Sequence, residues 1–482
     1  MLGEVWVVEE AEMQDVCAVI LAAGEGTRMR SRSAKVLHPL LGQPLVHYPV
    51  DLCLRLGVKR VLVVVAAQAE AVKQALDGRP VEFVHQGEPK GTAHALRRTE
   101  EGLRGFRGCV LVLAGDVPLL RDETVRQLVE AHESAAAAAT LLTARMDNPA
   151  GYGRIVRDRQ GRLRRIVEEV EAKEKEQRIP EINAGLYCFA APAIFRALEQ
   201  VKASPVKGEY FLPEVVQVFL RAGRPVHTLL AADPTEVLGI NTRVELAQAA
   251  TVLRRRVHER LMVEGVTLLD PQATYIDDTV HIGPDTVIYP GVCLEGATTI
   301  GEGCVVYGNC RIHNSHLGDH VAVLDGSVIL ESEVAEGCVV GPYAHLRPQS
   351  RLRRKAKVGN FCEVKKAVIG EGSKVPHLAY VGDATLGEKV NIGAGTITCN
   401  YDGFAKHQTV IEDEVFVGSN TNLVAPVTVG QGAIIAAGST ITEAVPPDAV
   451  AFGRAPQVTK EGRAAATRKK RQAMAPPKDD DD

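Results

Sequence analysis

Aromatic residues are scarce in this chain. Phe, Trp and Tyr make up 4% of its 482 residues, and there is one tryptophan, Trp6. Any core must therefore be filled mainly by aliphatic residues and alanine. The ten cysteines form no Cys-x-x-Cys pair and no zinc spacing. That argues against a zinc ribbon or a disulfide framework and predicts reduced thiols in a cytoplasm. No apolar run reaches the roughly eighteen residues of a membrane span, and no signal-peptide pattern opens the chain. Neither a membrane span nor export is expected. An excess of one charge is missing too: 56 Lys and Arg face 60 Asp and Glu, a net charge of −4. Nothing global points to nucleic acid. The length predicts two to four domains.

The second half carries a six-residue rhythm. Ile282, Ile288, Leu294, Ile300, Val306 and Ile312 begin it; Leu346, Leu352, Val358 and Val364 continue it. It returns at Ile411, Val417, Leu423, Val429, Ile435 and Ile441, and a glycine or another small residue follows many of these anchors. A helix repeats every three or four residues and a simple strand every two, so neither fits as one continuous element. A parallel β-helix fits, each short strand placing one aliphatic residue inside. Three strands per coil give about nine coils, a prism on the order of 43 Å long. Five-residue steps at Ile312–Leu317, Ile329–Val334, Val364–Ile369 and Val381–Leu386 predict tight corners with the register kept. The longer break between Thr398 and Ile411 predicts a loop leaving the wall, and solenoid insertions tend to carry the binding face.

Residues 1–14 read as an extension, with Met13 a candidate native start. From 15 to about 240, strand patterns alternate with helical ones. Strands are expected at Val16–Leu21, Val61–Val65, Val81–Val84, Cys109–Ala114, Ile182–Phe189 and Val226–Leu230, with helices such as Ala69–Leu76 and Asp122–Glu133 between them. This predicts an α/β domain with a mostly parallel sheet covered on both faces. Ligands of such sheets sit beyond the strands' carboxyl ends, here after Leu21, Val84 and Ala114. The first of these loops, Ala22-Ala23-Gly24-Glu25-Gly26-Thr27-Arg28-Met29, lacks the third glycine of a dinucleotide fingerprint and the ending of a P-loop. Its two glycines still let backbone N–H groups approach phosphate, with Arg28 and Lys35 nearby. Residues 241–266 predict a connecting helix, from Leu246, Ala250, Leu253, Val257 and Leu261. Its Arg254, Arg255, Arg256 and Arg260 are expected to face mostly outward, a solvated basic face rather than a nucleic-acid surface.

Taken together, several motifs are more specific than any one of them. Leu21-Ala-Ala-Gly-x-Gly-Thr-Arg-Met29 with Lys35-Val-Leu-His38 resembles the nucleotidyltransferases that activate sugar 1-phosphates. Gly115-Asp116-Val-Pro-Leu119 resembles their metal-binding signature. Gly151-Tyr-Gly-Arg-Ile155, Ile166-Val-Glu168, Ile182-Asn-Ala-Gly185 and Gly239-Ile-Asn-Thr-Arg243 continue the match. Joined to a hexapeptide prism, the chain over about 15–460 resembles the bacterial bifunctional N-acetylglucosamine-1-phosphate uridylyltransferase/glucosamine-1-phosphate N-acetyltransferase family. That resemblance implies a Rossmann-like nucleotidyltransferase domain (15–240), a linker helix (241–266) and a left-handed parallel β-helix acetyltransferase domain (267–455). It implies acetylation of glucosamine 1-phosphate by acetyl-CoA, then uridylyl transfer from UTP to N-acetylglucosamine 1-phosphate, for cell-wall and lipopolysaccharide precursors. Mg²⁺ and a homotrimer with a shared acetyl site are also implied.

Residue by residue, the resemblance places uridine and phosphate contacts at Leu21, Ala22, Ala23, Gly24, Lys35, Gln86, Gly91 and Thr92. It places sugar contacts at Gly151, Glu168, Asn183 and Asn241, and metal ligands at Asp116 and Asn241. One carboxylate and one amide oxygen suit Mg²⁺, which keeps waters and phosphates around it. Phosphoryl transfer needs alignment and charge neutralisation more than covalent help, the role implied for Lys35. On the prism, Arg347, Lys365, Tyr380 and Asn391 fall on sugar-phosphate contacts. Ala394, Asn400, Tyr401, Ser419, Ala437 and Arg454 fall on acyl-CoA contacts, Asn400 and Tyr401 falling on sugar contacts as well. His377 falls on the catalytic base, which must take a proton from an ammonium before the amine can attack a thioester.

Two positions depart from the family pattern: Ala114, where Tyr is frequent, and Val170, which follows Glu168-Glu169 where a Lys-Asp pair is common. Arg351–Lys357 read as a solvated basic face. Lys460-Glu461-Gly462-Arg463 resembles the family's end except at Arg463, and the tail from 456 to 482 is expected to lack structure. Two other readings of the layout are a related ADP-glucose or GDP-mannose synthase and a non-catalytic regulatory subunit. The joint presence of Lys35, Asp116, Asn241, His377 and Asn391–Tyr401 argues against both.

Overall fold

The computed structural model describes residues 13–24 and 26–475. Most of the expected extension, with Trp6, lies outside the described residues. The chain divides into two compact units: one runs to Leu261 and takes in Ile276–Thr279, and the other holds the rest.

The first unit is built on strands β1 (Val16–Leu21), β2 (Arg60–Val65), β3 (Glu82–His85), β4 (Cys109–Ala114), β5 (Ala139–Arg145), β6 (Arg154–Arg157), β7 (Leu163–Val167), β8 (Glu181–Ala190) and β9 (Val226–Leu230). The main sheet runs β9-β5-β8-β4-β1-β2-β3, with β6 and β7 attached beside β8. In β1, Val16, Ala18 and Ile20 enter one core cluster while Cys17 and Val19 enter another. The same split occurs in β2 and β4. Burial on both faces explains why these strands read as unbroken apolar runs.

The sheet is less uniformly parallel than its sequence predicts. β3-β2-β1-β4 is parallel, but β8 runs antiparallel to both β4 and β5. A register shift interrupts β8 between Asn183 and Tyr187, a bulge of the kind that re-aims side chains beside active sites. β5 was not expected at all. It follows an alanine run, whose local preference is helical, and burial between β9 and β8 overrides that preference. The hairpin β6–β7 was also unforeseen.

The helix Arg243–Val263 packs Ala249 and Leu253 against Leu40, Leu45, Leu119 and Ile240. Arg256 is the exception on the basic face: its guanidinium donates to the Leu119 carbonyl at 2.6 Å and lies 3.5 Å from Asp233.

The second unit is three stacked parallel sheets of eleven, ten and nine strands, the left-handed β-helix of hexapeptide proteins. Ile288, Val306, Val323, Val340, Val358 and Val375 sit over one another in register, all fully buried. Each five-residue step turns through one non-glycine residue with positive φ: Asn314 (45°), Glu331 (44°), Lys366 (49°) and Asp383 (47°). That conformation costs about 1–2 kcal/mol per residue. Each of these amides donates to a carbonyl of the coil before it, such as Asp383 N to Lys365 O at 3.0 Å, which offsets the strain. The prism's buried thiols also serve the backbone: Cys338 Sγ donates to Arg353 O and Cys362 Sγ to Val375 O. All ten cysteines are free.

The tail differs from expectation. Arg463–Met474 is helical with no buried residue. Ala, Arg, Lys, Gln and Met dominate it, all good helix formers.

Candidate active sites

In the first unit a cleft of about 740 Å³ opens at the carboxyl ends of the parallel strands. Leu21, Ala23, Gly24, Lys35, Gln86, Gly91, Thr92, Asp116, Glu168 and Asn183 line it. Ten of the expected contacts thus converge from segments far apart in sequence. Ala22 does not line it, being turned into the core beneath. Gly151 and Asn241 lie outside the lining, Asn241 meeting it through Lys35.

Local chemistry explains the convergence. Gly26 has φ 63°, and a Cβ there would collide with the Lys35 side chain, so its absence lets the loop fold over that lysine. Lys35 Nζ forms an ion pair with Asp116 Oδ2 and donates to Asn241 Oδ1 at 3.0 Å. Arg28 donates to the same Asn241 oxygen at 2.9 Å. Asn241 is fixed from behind by a capping box: Glu245 accepts from the Asn241 and Thr242 amides at 2.7 Å, and the Glu245 amide donates to Thr242 Oγ1. The bulge in β8 brings Asn183 to the cleft, where its amide donates to Tyr187 Oη at 2.6 Å. Burial, reinforced by Glu171, holds the Glu168 carboxyl above its usual range. At the far wall Gly91, φ 98°, lies against the backbone of Tyr210, leaving no room for a side chain. Thr92 Oγ1 accepts from the Leu212 amide at 3.0 Å. Sequence reasoning missed the segment Glu209–Pro213 as a wall of the cleft, because no motif marks it.

On the prism, His377 is exposed and its Nδ1 lies 2.6 Å from Asn360 Oδ1 in the coil before. An amide oxygen only accepts, so Nδ1 carries a proton, and in the neutral ring the lone pair is on Nε2. Sequence reasoning missed Asn360; the coil period, which stacks Asn360 on His377, is the signal that could have found it. Continuing up the same wall, Gly395 N donates to His377 O, Asn420 N to Ala394 O and Gly438 N to Ser419 O. His377, Ala394, Ser419 and Ala437 therefore occupy equivalent positions on successive coils. Arg454 completes the strip, its Cδ lying against Gly438.

A second group gathers on the neighbouring sheet. Arg347 donates to Glu363 at 2.8 Å. Asn400 Nδ2 donates to Asp383 Oδ2 at 2.5 Å and to Tyr380 Oη at 3.4 Å. Lys365 stands beside Lys406, and that like charge, with Arg347 adding to it, pushes its ammonium pKa down. Lys406 was not foreseen; it comes from the loop that breaks the hexapeptide rhythm. That loop is tied to itself: Asp402 accepts from the Phe404 and Ala405 amides and from His407. These bonds hold the Asp402 carboxyl well below the usual carboxylate range. Tyr401 is at its base and Phe404 is 97% exposed at its tip. Asn391 pairs with Lys374 on the His377 sheet, apart from the Tyr380–Asn400 contact.

Among the described residues no group of three or more His, Cys, Asp or Glu could hold a metal. Any cation at Asp116 and Asn241 therefore needs further oxygens from substrate or water.

Comparison with known proteins finds relatives for both parts of the chain. The "Nucleotidyl transferase" family model matches residues 17–234, and "Bacterial transferase hexapeptide (six repeats)" matches 408–443. The bifunctional protein GlmU of Exiguobacterium sp. is 50% identical over 92% of this chain and 98% of its own. That of Trichlorobacter lovleyi is 48% identical over 92% and 97%, and that of Listeria monocytogenes 49% over 93% and 97%. With both motif sets in place and relatives matched almost end to end, the chain belongs to the GlmU family of bifunctional uridylyltransferase–acetyltransferases.

Proposed function

We propose that the prism wall around His377 acetylates glucosamine 1-phosphate, and that the cleft around Lys35 and Asp116 then joins the N-acetylated product to UTP. UDP-N-acetylglucosamine and pyrophosphate result. The observation that carries this reading is the presence, in one chain, of the Lys35–Asp116–Asn241 cluster and of the Asn360–His377 pair at the end of a strip of small residues. Residues 15–240 are assigned the uridylyl reaction and 267–455 the acetyl reaction, with 241–266 between them.

At the wall, His377 Nε2 takes a proton from the sugar ammonium. The amine attacks the thioester carbonyl, and the thiol leaves. Asn360 holds the tautomer that makes Nε2 a base. Arg347, Lys365 and Lys406 provide positive charge for the sugar's phosphate, and Ala394, Ser419, Ala437 and Arg454 form the acyl-CoA track. In the cleft, a sugar phosphate oxygen attacks the α-phosphorus of UTP and pyrophosphate leaves. Lys35 and Arg28 offset the phosphate charge, while Glu168 and Asn183 hold the sugar. Asp116 Oδ2 and Asn241 Oδ1 both face the Lys35 ammonium, so two hard oxygens already converge on a cation, a donor set that fits Mg²⁺. The ion would neutralise charge on the phosphates.

The assembly is a homotrimer. Tyr343, Phe361 and Leu378 are each more than half exposed along one corner beside His377, and Tyr343 stacks on Phe361 at 5.6 Å. Such an apolar ladder favours a second copy, with the Phe404 loop reaching across. The ten free thiols support a cytoplasmic location. No helix among the described residues is long and apolar enough to cross a membrane.

The deciding experiment supplies glucosamine 1-phosphate, acetyl-CoA, UTP and Mg²⁺ and follows free thiol and pyrophosphate separately. Thiol release that depends on glucosamine 1-phosphate is expected, as is pyrophosphate release that depends on the acetylated sugar. Failure of either to appear would refute the assignment of that site.

A further inference from the structure

Gln86 follows the third parallel strand and is 4% exposed. Its backbone amide donates to Val65 O at 2.8 Å. Its side-chain nitrogen has two partners, Gly91 O at 3.1 Å and His94 Nδ1 at 3.2 Å. The carbonyl of Gly91 can only accept, so the NH₂ end of the Gln86 amide points at Gly91, and, since Gln86 lines the cleft, its oxygen end is left for that side. His94 Nδ1 must then accept as well, which a neutral imidazole protonated on Nε2 can do. The backbone around these groups is closed. Gly91 is clamped against Tyr210, and the Ala93 amide donates to Tyr210 O at 2.9 Å.

We infer that His94 is a positioning residue for base selection: by accepting from the Gln86 side chain it keeps a hydrogen-bond acceptor, and not a donor, facing the nucleotide base. This rests on the reading of Gln86 as a contact to the pyrimidine. Uracil presents an N3–H donor, which an amide oxygen accepts. Cytosine presents a lone pair at N3, which the same oxygen repels. Were the amide to turn over, its NH₂ would suit cytosine and the preference would weaken.

The surroundings of His94 favour the neutral ring. Burial lowers its pKa, and Arg98, Lys90 and Arg97 lower it further, against Glu88 alone. As pH falls through that lowered pKa, Nδ1 gains a proton and confronts the Gln86 NH₂ donor to donor. The selection of UTP over CTP should weaken toward acid.

The test uses the full-length enzyme and measures kcat/KM for UTP and for CTP with N-acetylglucosamine 1-phosphate. His94→Leu, which removes the acceptor, should lower the UTP:CTP preference about tenfold, the worth of one hydrogen bond, chiefly through KM for UTP. His94→Asn, whose Oδ1 can stand in for Nδ1, should restore most of it. The wild-type preference should decline as pH falls below the ordinary imidazole range, while that of the Asn variant stays level. An undiminished preference in His94→Leu would overturn the inference. Should that variant not fold, an undiminished preference in His94→Ala, which also removes the acceptor, would do so. Gln86→Leu separates the two layers. If it too leaves the preference intact, Gln86 does not read the base at all. If it alone abolishes the preference, only the part given to His94 fails.

Discussion

The cleft and the prism wall solve the same problem, gripping a sugar phosphate, in opposite ways. In the cleft, side chains from segments more than two hundred residues apart meet and hold one another. Lys35, Asp116, Asn241 and Arg28 form a connected set, and the walls behind them are buried on both faces of the sheet. On the wall, the residues come from consecutive coils and lie along an open surface, with His377 and Ser419 exposed. A sheet with helices on both sides can enclose a ligand using one chain. A straight ladder offers only a face and a corner, so enclosure must come from something laid against it.

The largest effects should fall on one region at a time. His377→Ala should reduce thiol release by about 10³-fold, the scale of a lost general base, with pyrophosphate release from N-acetylglucosamine 1-phosphate preserved. Asp116→Ala should do the reverse at a similar scale, since alignment and charge neutralisation carry phosphoryl transfer. Either variant silencing both reactions in a folded protein would erase the distinction between cleft and wall.

Joint substitution of Phe361→Asp and Leu378→Asp should yield monomers by sedimentation and cost thiol release roughly a hundredfold, leaving pyrophosphate release unchanged. Full acetyl transfer by monomers would show that the wall needs no second copy.

Lys406→Ala should raise KM for glucosamine 1-phosphate about tenfold, the worth of one charge-assisted contact, with little change in kcat. It should also relieve the like charge on Lys365, so that the Lys365 ammonium titrates higher, as NMR can follow.

The smallest effect concerns Glu168. Its folded-state pKa is raised by burial, so folding is penalised once it ionises. The penalty is absent below the unfolded-state pKa and complete above the folded one. Glu168→Gln should therefore raise the thermal midpoint at pH 7 and leave it unchanged near pH 4, while weakening sugar binding in the cleft.

The same contrast governs what could be read beforehand. The prism was almost wholly legible, because a repeat writes its geometry into every coil. Even the five-residue steps announced the corners at Asn314, Glu331, Lys366 and Asp383. Its lateral contacts were not legible: Asn360 and Lys406 act through neighbours stacked across coils or across a loop. In the first unit, strands buried on both faces showed themselves as apolar runs, and the motif residues reached the cleft as a group. What escaped there was decided by tertiary packing. The alanine-rich β5 follows burial rather than propensity, the direction of β8 depends on its partners, and Arg256 turns inward to meet a carbonyl that only the folded chain supplies.

The equal spacing of His377, Ala394, Ser419 and Ala437 makes the wall a measuring stick. Three coil steps separate His377 from the far end of the strip, roughly 14 Å at the usual strand separation. That distance can change only by whole coils. Inserting one eighteen-residue turn between Asn391 and Asn422 would leave every side chain chemically intact yet put a thioester anchored at Arg454 about 5 Å out of reach of His377.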